Sequence, residues 1–205
     1  MGAGAVAAAV AALRDAHDEL AALPIDALTA RELVAALDEL ETLSCQLPAQ
    51  RHRMLARLQC ETTAKEMGAK SWRQVLAIRW RISTSEAGRR LDEAAVLGPR
   101  RTLTGEPLAP VFAATSAAQA AGRINGEHVE TIRDVTTRIP GWVDSATRGD
   151  IEADWVSVAA GVGPKELKDY AQRAVFLSIR TARNPMTPNG HGGVGCRRDR
   201  RAATR

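Results

Sequence analysis

The sequence predicts an all-α fold of about seven helices, with a long-helix hairpin at the N-terminus and a disordered basic tail at the C-terminus. Three observations carry that prediction. Apolar residues recur at alternating spacings of three and four, the helical period. Aromatic residues are 3% of the 205, and alanine supplies much of the 45% apolar content, so close-packed helices are favoured over sheets. No run alternates apolar and polar residues as a strand would. The expected division is 1–62 for the helical hairpin, 63–179 for a helical core containing a helix-turn-helix-like segment at 71–97, and 180–205 for a Gly/Arg-rich tail.

The first helix spans about Ala3 to Leu23. Val6, Val10, Leu13, His17 and Leu20 share one face, and Pro24 ends it. A second helix opens at Thr29, which forms a capping box with Glu32. Leu33, Ala36, Leu40, Leu43 and Leu47 then follow at spacings of three and four, the seam of a helical hairpin or a coiled coil. The first helix of the same chain suits that seam. So does a second copy, which would make Leu33, Leu40, Leu43 and Leu47 a homodimer contact. Pro48 is either a kink or the first residue of a new helix, and the pattern resumes with Met54, Leu55 and Leu58 on a basic segment. Thr62 to Lys70 reads as a connector broken at Gly68.

Ser71 to Arg101 reads as two short helices meeting at a tight turn. The first runs from Trp72 to Trp80, both tryptophans serving as core anchors, and Ile82-Ser83 makes the turn. The second runs from Thr84 to Leu97, with Ser83 and Glu86 as a capping box, and Gly98-Pro99 stops it. Its buried stripe is Ala87, Leu91, Ala94 and Ala95. Lys70 to Arg101 holds eight basic residues against three acids, a net +5 in a chain whose total is +4. The tail from Arg180 adds seven arginines against Asp199, whereas Met1 to Gln50 sets two arginines against eight acids. Segregated charge of this kind favours a polyanion such as DNA. In that reading Arg89 and Arg90 face the duplex from the second helix, and Arg79, Arg81, Arg100 and Arg101 meet phosphates. The competing reading is a solvated helix face, with Glu86–Arg90 and Arg89–Glu93 paired at i,i+4.

Gly105 to Pro110 is a turn-rich linker. Helices follow over about Val111–Ala121 and Gly126–Arg138. After the break at Ile139-Pro140-Gly141-Trp142, a helix over Ser145–Ala160 points Ile151, Trp155 and Val158 inward. Pro164 begins a last helix to about Ile179, with Leu167, Tyr170, Ala171, Ala174, Val175 and Leu177 on its apolar side. From Arg180 the periodicity is lost.

Several function classes are disfavoured. Cys45, Cys60 and Cys196 are an odd number at wide spacing, which indicates neither a disulfide framework nor a zinc site. No apolar run is long enough for a bilayer, and the alanine-rich N-terminus lacks the basic start of a signal peptide, so a cytoplasmic protein without membrane association is expected. No catalytic residue, metal site, cofactor or small-molecule ligand is indicated.

The run GEPLAPVFAATSAAQAAGRINGEHVETIRDVTTRIPGWVD, Gly105 to Asp144, resembles the 13E12 repeat family of mycobacteria and other actinobacteria. Its N-terminal region is a helical domain of unknown function, DUF222. The segment from Glu86 to Pro110 and the helix after Pro164 share the resemblance, which covers about Leu33 to Ile179. The resemblance implies a helical module ahead of an HNH-type nuclease, whose histidine-rich site holds one metal ion. After Ile179 only His191 is offered, so the nuclease part is expected to be absent, and His128 is expected to pack or cap. The expectation is a non-enzymatic DNA-binding or DNA-positioning module whose binding is weak and salt-sensitive. A dimerising interaction module and a gene remnant without activity are the alternatives.

Overall fold

The computed structural model describes residues 2–183, with side chains described through Ala174 apart from Ala3. Eight helices lie within that range: α1 (Ala3–Ala22), α2 (Ala30–Glu61), α3 (Trp72–Trp80), α4 (Thr84–Leu97), α5 (Ala113–Ala120), α6 (Gly126–Thr136), α7 (Ser145–Ala159) and α8 (Pro164–Arg183). Two-residue strands β1 (Arg100–Arg101) and β2 (Pro107–Leu108) pair antiparallel, Arg100 opposite Leu108, where the sequence predicts only a linker. Strands this short leave no periodic signal to read. The described residues form two compact units, one ending at Gly126 and the other beginning at Glu127.

In the first unit α2 is continuous through Pro48, which neither begins a new helix nor ends this one. Cys45, Ala49, His52 and Leu55 are buried, and α2 packs on α4 and α5. The core joins Leu55 to Leu76 of α3 and to Ala87, Leu91 and Ala94 of α4, with Trp72, Ala77 and Ile82 against it. Gly98 ends α4 so close to α2 that an added Cβ would lie 3.2 Å from the His52 carbonyl. Ser116 Oγ donates to the Leu97 carbonyl at 2.8 Å, tying α5 to the end of α4.

The stripe on α4 differs from expectation: Ala95 is exposed, and Leu97, Gly88 and Glu93 are buried. Alanine carries too little apolar area to decide which face it occupies. Trp80 is exposed as well, not a core anchor. Along α1 every described side chain is exposed, including Val6, Val10, Leu13 and Leu20. The seam on α2 is also open: Leu40, Leu43 and Leu47 are 43%, 50% and 46% exposed, and Leu33 is half-buried.

In the second unit the buried apolar residues of the helices are Val129, Ile132 and Val135 of α6, Trp155, Val156 and Ala159 of α7, and Leu167 and Ala171 of α8. His128 Nε2 donates to the Val162 carbonyl at 2.9 Å, so this buried histidine holds the turn between α7 and α8. Tyr170 lies outside the apolar side assigned to it, exposed, with its hydroxyl on Asp154 Oδ2 at 2.8 Å. Helix α8 continues to Arg183, past Arg180 where the tail was expected to begin. The remainder of that tail, with His191 and Cys196, lies outside the described residues, as do the side chains of Val175 and Leu177.

Candidate nucleic-acid interface

The helix-turn-helix-like segment forms with the boundaries the sequence predicts, and local polar chemistry sets them. Ser71 Oγ accepts the Gln74 amide at 3.3 Å to start α3, and Ser83 Oγ accepts the Glu86 amide at 3.0 Å to start α4. Between them Arg81 takes the left-handed conformation, φ 54° and ψ 41°, and the chain reverses there. An arginine in this region costs roughly 1 kcal/mol relative to glycine. Only half of the capping box at Ser83 is made. The Glu86 carboxylate turns to arginines instead.

Arg89 donates to Glu86 through Nε and Nη2 at 2.8 and 2.7 Å and to Glu93 through Nη1 at 2.5 Å. Arg90 Nε donates to Glu86 at 2.6 Å, and its guanidinium lies 5.6 Å from the Trp80 ring centroid. These hydrogen bonds from Arg89 and Arg90 hold the Glu86 carboxyl down at about 2 and raise the pKa of Arg89. Beneath them His52 Nε2 lies 3.6 Å from Glu93 Oε2, both side chains nearly buried. Burial alone would raise the Glu93 carboxyl, but contacts with His52 and Arg89 more than offset it and leave it below its ordinary value. The two arginines placed against the duplex by sequence are therefore neutralised by carboxylates.

The other candidates are less engaged. Arg79 and Arg81 are exposed and form no ion pair among the described residues, and the same holds for Lys70. Arg100 Nε donates to the Ala109 carbonyl at 3.0 Å and Arg101 Nη1 to the Gly105 carbonyl at 2.7 Å. Those bonds orient both guanidiniums along the β-ribbon and leave their charge uncompensated. The fold also brings in Arg51 of α2, whose pKa is lowered by burial and by the like charge of Arg90. Its signal was the basic segment Arg51, Arg53 and Arg57, but nothing in that segment says it reaches α4. Among the described residues no three His, Cys, Asp or Glu side chains cluster to hold a metal ion, and no helix is long and apolar enough to cross a membrane.

The family description "Domain of unknown function (DUF222)" matches residues 34–202. The chain belongs to the DUF222 family. The match runs beyond Ile179, where the sequence was expected to leave the family pattern. The DUF222 chain is 42% identical over 165 residues to the uncharacterized protein MT1160 of Mycobacterium tuberculosis (strain CDC 1551 / Oshkosh), covering 80% of this chain and 39% of that one. It is 42% identical over 165 residues to the uncharacterized protein Rv1128c of Mycobacterium tuberculosis (strain ATCC 25618 / H37Rv), covering 80% and 36%. With the uncharacterized protein Mb1179c of Mycobacterium bovis (strain ATCC BAA-935 / AF2122/97) the identity is 36% over 166 residues, covering 81% and 36%. The matched region thus spans less than two fifths of each of these relatives. No solved structure matches the chain. Within this DUF222 chain the run Ala117 to Gly122 is the end of α5 and its turn, and His128 lies on α6 in a packing role.

Proposed function

We propose that this DUF222 domain is a DNA-binding or DNA-positioning module that grips phosphates, and we assign it no catalytic residue. The observation that carries the reading is the uneven state of its cations. Lys70, Arg79, Arg81, Arg100 and Arg101 are exposed without a carboxylate partner, just before α3, at its end, in the turn after it, and on the ribbon that follows α4. Arg89 and Arg90 are already neutralised. Contacts of the free kind position a duplex and carry no sequence information. In longer members of the family such a module would present DNA to chemistry performed elsewhere in the chain.

If four or five phosphates are neutralised, log K falls with log salt at a slope of roughly −4. Replacing Arg79, Arg81, Arg100 and Arg101 together with Ala is expected to flatten that slope by about three and a half units, because each phosphate contact contributes roughly 0.9. Replacing Arg89 and Arg90 is expected to leave it within about half a unit, if the α4 ion pairs persist on DNA. Fluorescence anisotropy of a labelled duplex over a salt series reads both, and repeating it on a chain ending at Arg183 removes the basic tail. A folded quadruple variant with the slope of the parent would sink the proposal.

A second reading is favoured by the open seam. Leu40, Leu43 and Leu47 are roughly half exposed along one helix, which suits docking of a further helix and supports a homodimer or another protein contact through α2.

A further inference from the structure

We propose that the second unit carries a pocket for an organic ammonium ion with an apolar body. The pocket is assembled by the loop that precedes α7. Arg148 reaches back over that loop, its Nε donating to the Val143 carbonyl at 2.9 Å and its Nη2 to those of Pro140 at 2.7 Å and Ile139 at 3.3 Å. Asp144 fixes the other end, its Oδ1 accepting the amides of Ala146 and Thr147 at 2.9 and 3.0 Å. The loop so clamped projects Trp142, which is 67% exposed, while Trp155 of α7 is only 1% exposed. Between them lies a cavity of about 350 Å³, walled by Ile139, Ile151 and both indoles. That volume is at the small end of ligand sites, which are mostly apolar with a few placed polar groups.

The placed polar groups here are carboxylates. Asp150 and Asp154 stand one turn apart on α7 and both line the cavity. Tyr170 donates its hydroxyl to Asp154, which fixes that side chain. No cation pairs with either aspartate among the described residues. Two uncompensated carboxylates beside two indoles and aliphatic walls select by charge. An anion is repelled, and a neutral apolar guest gains the walls alone. An ammonium ion on an apolar body gains the walls, the carboxylates and the face of Trp142 together.

The test is isothermal titration of the full chain with phenylpropylammonium and with phenylpropanol, which share an apolar body and differ in charge. The ammonium ion is expected to bind about tenfold more tightly than the alcohol. The double variant Asp150→Asn with Asp154→Asn is expected to reduce that ratio to about one to two. Trp142→Ala is expected to weaken the ammonium ion about fivefold. Should Trp142→Ala lose its helical circular dichroism, the aspartate pair decides, since both residues are exposed and the amides keep the bond from Tyr170. Equal binding of the two probes, no binding of either, or a ratio unchanged in the double variant overturns the proposal.

Discussion

Glu86 shows how one side chain can govern two others. Its carboxylate takes hydrogen bonds from both Arg89 and Arg90, leaving undone the reciprocal half of the capping box. A carboxyl held at about 2 in the folded chain, below its unfolded value of about 4.3, stabilises the fold above that unfolded value. The contribution is lost as pH falls through the interval toward the folded value. Glu86→Gln is therefore expected to cost roughly 1 kcal/mol near neutral pH, since partly exposed pairs are worth little more. It should also flatten the dependence of stability on pH between about 4.5 and 2, measured by thermal melts across that range. The same change frees Arg90 and part of Arg89. If the phosphate-gripping reading holds, DNA affinity should rise and the salt slope steepen by about one unit. A variant that binds DNA less well would contradict it.

At the scale of elements, the turn that ends α5 depends on Gly122. It has φ +73°, and a Cβ there would meet Thr42 of α2 at 2.7 Å from Cγ2 and 3.0 Å from the carbonyl oxygen. Both the backbone region and the close approach exclude a side chain. Gly122→Ala is expected to lower unfolding stability by about 2 kcal/mol or more in urea melts, combining the left-handed cost with displacement of α5 from α2. The boundaries of α3 and α4 were legible because Ser71, Ser83 and Gly98 act through bonds to near neighbours in sequence. What joins α2 to α4 was not. His52 and Glu93 are forty-one positions apart, and neither pattern nor propensity pairs a histidine with a particular glutamate at that range. The ribbon escaped notice because two paired residues have no period. The carboxylate-lined cavity did too, because Trp142 reaches it only through the backbone carbonyls that Arg148 gathers. The exposure of Ala95 in place of Leu97 reflects how weakly alanine marks a face.

At the scale of the whole molecule, salt separates the two readings. Met1 to Gln50 carries eight acids against two arginines, so two copies meeting at the α2 seam would bring like charges together. Screening that repulsion should strengthen self-association as salt rises, whereas DNA binding should weaken. Sedimentation equilibrium over a range of concentration and salt is expected to show a dimer fraction that grows with salt. Leu40→Glu combined with Leu43→Glu should abolish it, and a chain monomeric throughout would leave the seam to another partner. The exposure of α1 has a consequence for cooperativity as well. A helix of 20 residues whose described side chains are all exposed draws its order from backbone hydrogen bonds and alanine propensity, with little tertiary packing to reinforce them. Its ends should fray and re-form on the sub-microsecond timescale of helix–coil exchange. Its amides should then exchange with solvent long before the core opens, so that α1 unfolds outside the main cooperative transition of the first unit.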